Sequence, residues 1–525
     1  MNILSELKNV KGLTEPLPSA QAESLAADLS ATLGLDVYAT SLTVKDSAVW
    51  FLARRSGKKV VGRTGSWGQD CPPCQQLTCE TTKIDLDGND LEVRVGPTNA
   101  PNAVVVRENL PFTAPVLIGL GKSFGAGDRL GLASPAHIRA VRRKPLRTVL
   151  AQQSIREMDR TDRSPQDVMD DATWGVLQEG FRDGFGSDAD HLKTAEQIDR
   201  CLDAGFTLFT IDPGQHVDDR ADQLCGSDLQ ERFDSLNWTE LDTTAADCLT
   251  LYADKTLLLP DGLSLSISKE ELGRAAVKYG AAVAHTAKLH RHLLSKRRAE
   301  EFELEMSVDE TASPTSLPEH FYVASELRRL GVLPVSLAPR FVGDFEKGVD
   351  YKGDLRKFET DLVGQVAIAK HLGPYKISFH SGSDKFSIYP IAARIADDLV
   401  HVKTAGTSYL EALRVVSQVE PELFRQILAF AFQRYEEDKA TYHVSAVLRK
   451  VPPAQKLRDS ELSSVLDLFD GRQLLHVTYG SVLQAKNADG SERFRPRLLT
   501  ALRTHEEQHY AIVSAHIARH VDPFC

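Results

Sequence analysis

Residues 302–310 read FELEMSVDE, a stretch in which apolar and polar side chains alternate. Side chains two positions apart in a strand share one face of the sheet. The apolar set, which begins with Phe302, packs under covering helices, and Glu305, Ser307 and Asp309 then turn to the opposite side. The stretch therefore predicts a strand whose polar face points into an enclosed interior.

Four other segments place polar groups inward in the same way. These groups are Thr210 and Asp212 in FTLFTID (206–212), Ser378 and His380 in YKISFHSG (375–382), His401 and Lys403 in LVHVKTAG (399–406), and Gln152 with Ser154, or Gln153 in the other register, in VLAQQSIRE (149–157). Burying such groups costs free energy unless they are paired or used. Barrel interiors usually hold branched apolar side chains, so this polarity indicates a functional site.

Short apolar strands alternate with helical stretches from Pro115 onward, which is typical of parallel βαβ units. The candidate strands are Arg129–Ala133, Thr148–Ser154, Phe185–Asp190, Thr207–Asp212, Glu303–Asp309, Val332–Ala338, Lys376–His380, Val400–Lys403 and Leu474–Thr478. We assign the first eight to a barrel and the last to the C-terminal region. The prediction is an α/β fold, a TIM-like (β/α)8 barrel with an N-terminal β-rich accessory region, a helical insertion and a helical C-terminal extension.

This pattern divides the chain into five segments. Residues 1–112 form the β-rich accessory domain, 113–212 the first part of the barrel, 213–300 a mostly helical insertion, 301–407 the second part of the barrel, and 408–525 the helical C-terminal region. In the first segment, the predicted strands are Leu35–Val44, Ala48–Arg54, Lys83–Val95 and Ala103–Arg107. The insertion contains a long helical stretch, Lys269–Arg298, which is a candidate lid.

Composition narrows the class of function. The 525 residues carry a net charge of −11, which argues against a nucleic-acid partner, because phosphate contacts need a basic face. The sequence shows neither a signal peptide nor a membrane-spanning apolar run, so we expect a cytoplasmic protein without a membrane partner. A small-molecule substrate fits this composition best, and the oligomeric state stays open.

Four blocks of the barrel region carry a family resemblance. They are GAGDRLGLASPAHIRAV (125–141), FGSDADHLKTAEQIDRCLDAGFTLFTIDP (185–213), KISFHSGSDKFSIYP (376–390) and HVKTAGTSYLEALR (401–414). Together they resemble the tagaturonate epimerase family, whose members interconvert tagaturonate and fructuronate with a divalent metal. The resemblance runs from about Pro115 to the C-terminus. It implies a carbohydrate isomerase acting in hexuronate catabolism on a sugar acid or a ketose.

The chemistry of that interconversion constrains the site. The two ketouronates differ at a carbinol carbon β to the ketone, whose C–H is not acidic. Inversion therefore needs either transient oxidation by a nicotinamide or a retro-aldol cleavage followed by re-addition. The sequence has no strand-borne G-x-G-x-x-G with a later acidic residue, which favours the retro-aldol route.

That route needs a Lewis acid, a base, an acid and a cation for the carboxylate. We predict His191 and His380 as metal ligands, with Asp309, Glu310 and His476 competing for the remaining place. Such a site suits Mn, Co, Ni, Zn or Fe without selecting among them. The other predicted groups are Asp190 and Glu310 as acid and base, Arg340, Lys385 and Lys403 for the substrate carboxylate, and Gln153, Ser154, Thr210 and Thr404 for hydroxyls.

Plainer interpretations stand beside these roles. Asp190 precedes a predicted helix, where aspartate usually caps, and Lys403 could serve only in a structural ion pair. His505-Glu-Glu-Gln-His509 matches a metalloprotease motif, but a solvated C-terminal helix is the simpler interpretation. Cys71, Cys74 and Cys79 have zinc-like spacing, although free loop thiols are simpler. Two alternative functions stay open, a metal-dependent aldolase on a sugar acid and a non-catalytic sugar-binding protein on a degenerate barrel.

Overall fold

The computed structural model describes residues 11–13, 15–65, 77–86 and 89–525. Within them, eight parallel strands close into a barrel in the order β7 (Ser123–Ala126), β8 (Arg147–Ser154), β9 (Gly186–Leu192), β10 (Leu208–Ile211), β13 (Glu303–Ser307), β14 (Ser336–Ala338), β15 (Lys376–Phe379) and β16 (Val400–Thr404), with β16 pairing back to β7. The predicted barrel is confirmed. Seven of its eight assigned strands overlap those of the structure.

Helices cover the barrel on the outside. They are α3 (Ser134–Val141), α4 (Ile155–Thr161), α5 (Pro165–Glu179), α6 (Ala195–Asp203), α9 (Lys269–Lys296), α10 (Leu317–Arg329), α11 (Leu355–Leu372), α12 (Tyr389–Ala396) and α13 (Thr407–Val419). Several of them begin at a capping residue; Ser154, for example, accepts from the Glu157 backbone N–H, and Glu157 bonds back. The apolar core lies between the strands and these helices, as FELEMSVDE predicts, since Leu304, Met306 and Val308 are buried there.

Two of the nine strands predicted from Pro115 onward are wrong. Residues Arg129–Ala133 form a turn, because the Asp128 carboxylate accepts backbone N–H groups of Leu130, Gly131 and Ala133. The first barrel strand is instead β7, where a side chain at Gly125 would collide with Gln152. Leu474–Thr478 lies mostly in helix α15 (Phe469–Val477), because its apolar residues form a helical face in the core of the C-terminal region.

The N-terminal region holds a six-stranded antiparallel sheet: β1 (Asp36–Val37), β2 (Thr43–Lys45), β3 (Ala48–Arg55), β4 (Lys58–Thr64), β5 (Glu80–Leu86) and β6 (Asn89–Pro97). Helices α1 (Ser19–Leu33) and α2 (Ala100–Asn109) accompany it. The predicted strand Ala103–Arg107 is wrong, because the Asn99 side chain caps α2 across these residues. Cys71 and Cys74 lie outside the described residues, and Cys79 is a free, half-buried thiol.

Residues between β10 and β13 add helices α7 (Gly226–Asp234) and α8 (Ala245–Tyr252) and a hairpin, β11 (Lys255–Leu258) and β12 (Ser264–Ile267). The long helix α9 packs along α10 and against α6 and α7. It follows β10 and takes the place of an outer barrel helix, so the structure does not place it as the predicted lid. The five predicted segment boundaries stay a prediction.

The C-terminal region is helical as predicted. It contains α14 (Pro421–Asp438), α15, α16 (Tyr479–Gln484), α17 (Arg495–Thr504) and α18 (Glu506–Val521), and most of it surrounds a second apolar core. Helix α18 packs on α3 and α13 instead of standing in solvent, so the expectation of a solvated helix is wrong. Across the described part of the chain, the search for a helix suited to crossing a bilayer finds none.

Candidate active site

Two histidines face each other at the carboxyl end of the barrel. His191 belongs to β9 and His380 follows β15, and His191 Nε2 lies 3.2 Å from His380 Nδ1. Ligand atoms of Asp190, His191 and His380 all lie within 4.8 Å of one another. Asp309, just beyond β13, places a carboxylate oxygen 3.3 Å from His380 Nδ1. The structure thus brings four of the predicted site residues together.

A β-bulge explains how two consecutive residues of β9 both reach this site. The pairing of β9 with β10 shifts by one residue after Ala189, and His191 has a positive φ of 54°. Bulges re-aim side chains at barrel rims, and left-handed backbone at a non-glycine residue is characteristic of functional sites. Simple alternation would send His191 away from Asp190; the bulge turns both inward.

Each histidine also contacts a carboxylate through its outer ring nitrogen. His380 Nε2 lies 2.6 Å from Glu305, and His191 Nδ1 lies 3.2 Å from Asp212. Metal-bound histidines usually give their second N–H to a carboxylate or carbonyl, which fixes the tautomer and frees the facing nitrogen. Here this pattern directs the two remaining ring nitrogens, His191 Nε2 and His380 Nδ1, toward one point.

The electrostatics at that point favour positive charge. Burial lowers the pKa of His191, but the Asp190 carboxylate and the Asp212 hydrogen bond outweigh it and raise the pKa to about 9. For His380, burial and Lys403 lower the pKa, while Asp309 and Glu305 raise it to about 10. The surrounding carboxylates therefore attract a cation to the space between the two rings.

Lys403 sits one layer deeper, among three carboxylates. Its Nζ lies 2.7 Å from Asp188, 2.9 Å from Asp190 and 2.8 Å from Glu305, and it donates to the Thr210 hydroxyl at 2.7 Å. Burial opposes the charge, but these carboxylates hold the Lys403 pKa well above its ordinary value. Its charge is paired inside the protein, as in the plainer interpretation of this residue, and it links β16 to β9, β10 and β13. Lys403 also lines the inner of the two cavities above the histidines.

Two adjoining cavities open above the histidines. The inner one has a volume of about 40 Å³, and the outer one about 280 Å³. Lys347, His380, Ser381 and Tyr442 line both. Tyr442 comes from the C-terminal region, so that region, and not the insertion, covers the site. The outer cavity is the one with room for a six-carbon substrate.

Of the eight other predicted residues, four line one of the two cavities and four do not. Ser154 and His476 line the inner cavity, and Glu310 and Arg340 line the outer one. Glu310 stands on the rim, where its 41% exposed side chain pairs with Arg156 at 3.2 Å. His476 lies on α15 beside Arg129 and is not grouped with the facing histidines.

Four predicted residues do not line either cavity. Lys385 is buried and donates to the backbone carbonyls of Glu346, Val349 and Ser383, which use up its three N–H bonds. The other three are held by protein partners: Gln153 by Arg163, Thr210 by Asp188 and Lys403, and Thr404 by the Gly125 carbonyl. The protein itself occupies the polar groups of these residues, and their predicted substrate contacts stay predictions.

Sequence reasoning missed several lining residues. Arg129, Arg156, Glu157 and Lys347 line the inner cavity, and Gln152 lines it in place of Gln153. The alternation in VLAQQSIRE indicates Gln152 as an inward residue, so this one could have been predicted from the sequence. Arg129 and Lys347 lie in turns, and Arg156 and Glu157 lie in the first turn of α4, so no strand alternation marks their direction.

Comparisons with known proteins agree with this architecture. A family model described as tagaturonate epimerase matches residues 38–524. The tagaturonate/fructuronate epimerase of Thermotoga maritima is 42% identical over 489 residues, which cover 93% of this chain and 97% of that protein. The crystal structure of the fructuronate-tagaturonate epimerase from Cohnella laeviribosi with one glycerol is 35% identical, covers 96% of this chain and 99% of that one, and superposes with a TM-score of 0.87; its native form gives 0.86.

Proposed function

The chain belongs to the tagaturonate epimerase family, and from this premise we propose that it interconverts tagaturonate and fructuronate at the mouth of its barrel. The family model covers most of the chain, so the resemblance seen in the four sequence blocks is confirmed. The activity is that of an isomerase. The metal, the substrate contacts and the catalytic roles below are proposals.

The proposed metal centre consists of His191, His380 and Asp190, with Asp309 as a further ligand. One observation carries it: two imidazole nitrogens face each other at 3.2 Å while the opposite nitrogens contact Glu305 and Asp212. Two nitrogens and one or two carboxylates suit Mn, Co, Ni, Zn or Fe. A divalent cation held there supplies a Lewis acid for the substrate ketone.

Asp190 is better suited to metal binding than to the predicted role of base. Burial raises its pKa, but His191 and Lys403 outweigh this and hold the pKa well below its usual range. A general base works best when its pKa lies near the working pH. We therefore propose Asp190 as a metal ligand. Glu310 is the proposed base, because its side chain lines the outer cavity and is exposed to solvent.

The cations around the two cavities are proposed to bind the substrate carboxylate and to return the proton. Arg156 and Arg340 line the inner and outer cavity, respectively, and a guanidinium binds a carboxylate in a bidentate fashion. Lys347 lines both cavities, so it is placed to return a proton when the aldehyde carbon is re-added on its other face. Because Lys403 is neutralised by carboxylates, it positions Asp190 and is not proposed as a substrate contact.

The direct test is conversion of tagaturonate to fructuronate by the metal-loaded protein, followed by NMR. His380→Ala should abolish conversion, while Lys193→Met, near the site but outside both cavities, should retain it. Trapping of a released aldehyde by a carbonyl reagent would distinguish an aldolase from an epimerase. Absence of fructuronate at every metal tested would overturn the proposal.

A further inference from the structure

A second cavity lies away from the barrel mouth, where three parts of the chain meet. It has a volume of about 380 Å³, which falls in the usual range for small-molecule sites. Its walls come from the turn between β3 and β4, the segment 131–135 at the start of α3, helix α5, and the junction of α17 and α18. It shares no lining residue with the two cavities of the active site.

The charges on its walls do not balance. Lys58, Lys59 and Arg503 line the cavity, and none of them has a carboxylate within 4 Å among the described residues. The two carboxylates of the wall are already engaged. Glu506 accepts from Tyr38 at 2.8 Å and pairs with Arg54 at 3.1 Å, while Asp171 pairs with Arg163 at 2.5 Å.

Lys59 is the most constrained of these cations. Its Nζ donates to the Tyr510 hydroxyl at 3.3 Å, and burial lowers its pKa. A lysine that is partly removed from water without a carboxylate partner is stabilised by any anion that reaches it. The cavity therefore offers free positive charge in a partly desolvated setting.

A buried histidine on the same wall also has an unsatisfied ring nitrogen. His509 is 1% exposed and lines the cavity, and its Nε2 has no hydrogen-bond partner in the described part of the chain. Buried polar atoms are usually satisfied, so this nitrogen leaves one unmet hydrogen bond in the cavity wall. Trp174 and Tyr510 provide apolar walls against which a carbon skeleton can pack.

We propose that this cavity binds a small organic anion, such as a sugar acid or a sugar phosphate. The anionic group contacts Lys59 and Arg503, and the carbon skeleton packs against Trp174 and Tyr510. The ligand would also contact Gly131 and Leu132, two and three residues after Arg129, which lines the inner cavity of the active site. This second site is therefore placed to influence the position of Arg129.

The test uses the full-length His380→Ala protein, in which substrate binding at the metal centre is impaired. Galacturonate, glucose 6-phosphate and inorganic phosphate are titrated by calorimetry, with neutral glucose as the control. We expect one site for at least one anion, weaker binding as NaCl is raised, and no binding of glucose. The first two probes separate a carboxylate ligand from a phosphate ligand.

Variants then locate the site. Lys59→Met combined with Arg503→Met should weaken Kd by about tenfold or more, as loss of charge-assisted hydrogen bonds predicts. Arg497→Met, on the same helix α17 but outside the cavity wall, is the matched control and should bind like the parent.

Two results would overturn the proposal: no anion binds the His380→Ala protein, or the double variant binds as tightly as its parent. Circular dichroism checks that each variant is folded. If the double variant does not fold, Arg503→Met alone decides, because Arg503 is exposed and its loss should not affect folding. An unchanged Kd in that variant contradicts the site.

Discussion

Replacing Asp212 by Asn tests the proposed metal centre without relying on turnover. Asp212 accepts the Gly214 backbone N–H through Oδ1 at 2.9 Å, and its Oδ2 lies 3.2 Å from His191 Nδ1. In the asparagine variant, Gly214 keeps the amide oxygen, so the amide NH₂ faces the Nδ1–H of His191. The amide NH₂ and the Nδ1–H are both hydrogen-bond donors, so they repel each other. The proton on His191 is driven to Nε2, the nitrogen that faces His380.

The expected cost follows from that rearrangement. Loss of a carboxylate that orients a metal-bound histidine typically weakens metal affinity by about 10- to 100-fold, or about 1.4–2.7 kcal/mol. Competition with a chromogenic chelator measures this directly for Zn²⁺ or Mn²⁺. Asp212→Asn should lose affinity within that range while its circular dichroism spectrum stays that of the parent.

Lys193 provides the matched control. Its Nζ lies 3.3 Å from the same Asp212 oxygen, but its side chain is 38% exposed, and exposed ion pairs contribute little. Lys193→Met should therefore change metal affinity by less than about threefold. Equal affinity in Asp212→Asn and the parent would refute the reasoning, since His191 would not depend on Asp212 for its tautomer.

Three further predictions concern the same end of the barrel. Lys403→Met should lower the free energy of unfolding by about 3–5 kcal/mol in urea titrations, because three carboxylates lose their buried partner; Lys193→Met should leave it nearly unchanged. Glu310→Gln should lower kcat by about 10²- to 10⁴-fold with unaltered metal affinity, if it transfers the proton; a kcat within threefold of the parent would contradict that role. Metal at about 100 times its Kd should raise the free energy of unfolding by about 2.7 kcal/mol, and His380→Ala should remove this gain.

The barrel was predictable because its strands carry a local signal. In FELEMSVDE, the apolar residues face the helices and Glu305 faces the interior, where its side chain is completely buried. Each such strand is read from its own alternation, and parallel strands separated by helices then imply a barrel. The prediction failed for Leu474–Thr478, which shows no alternation of apolar and polar residues. A short apolar run of this kind fits a helix as well as a strand.

The site was less predictable, because its geometry depends on features without a local pattern. The bulge that turns His191 inward is visible only in the pairing of β9 with β10. Tyr442 and Arg156 meet at the barrel mouth from distant parts of the chain. The surroundings of Lys385 were not predictable either: this lysine lies within the block KISFHSGSDKFSIYP (376–390), but it is buried against three carbonyls, two of which come from another loop.

The charges at the barrel mouth support the proposed metal centre. Asp188, Asp190 and Glu305 surround one ammonium, that of Lys403, and Asp309 and Asp212 add carboxylates beside the imidazoles. Burying so many carboxylates against one lysine is costly unless further positive charge is close. Lys403 already lies on one side of these carboxylates, and the space between His191 and His380, on the other side, is where further positive charge can be held. The proposed divalent cation would offset the excess carboxylate charge there, on the side of the cluster that opens to the two cavities.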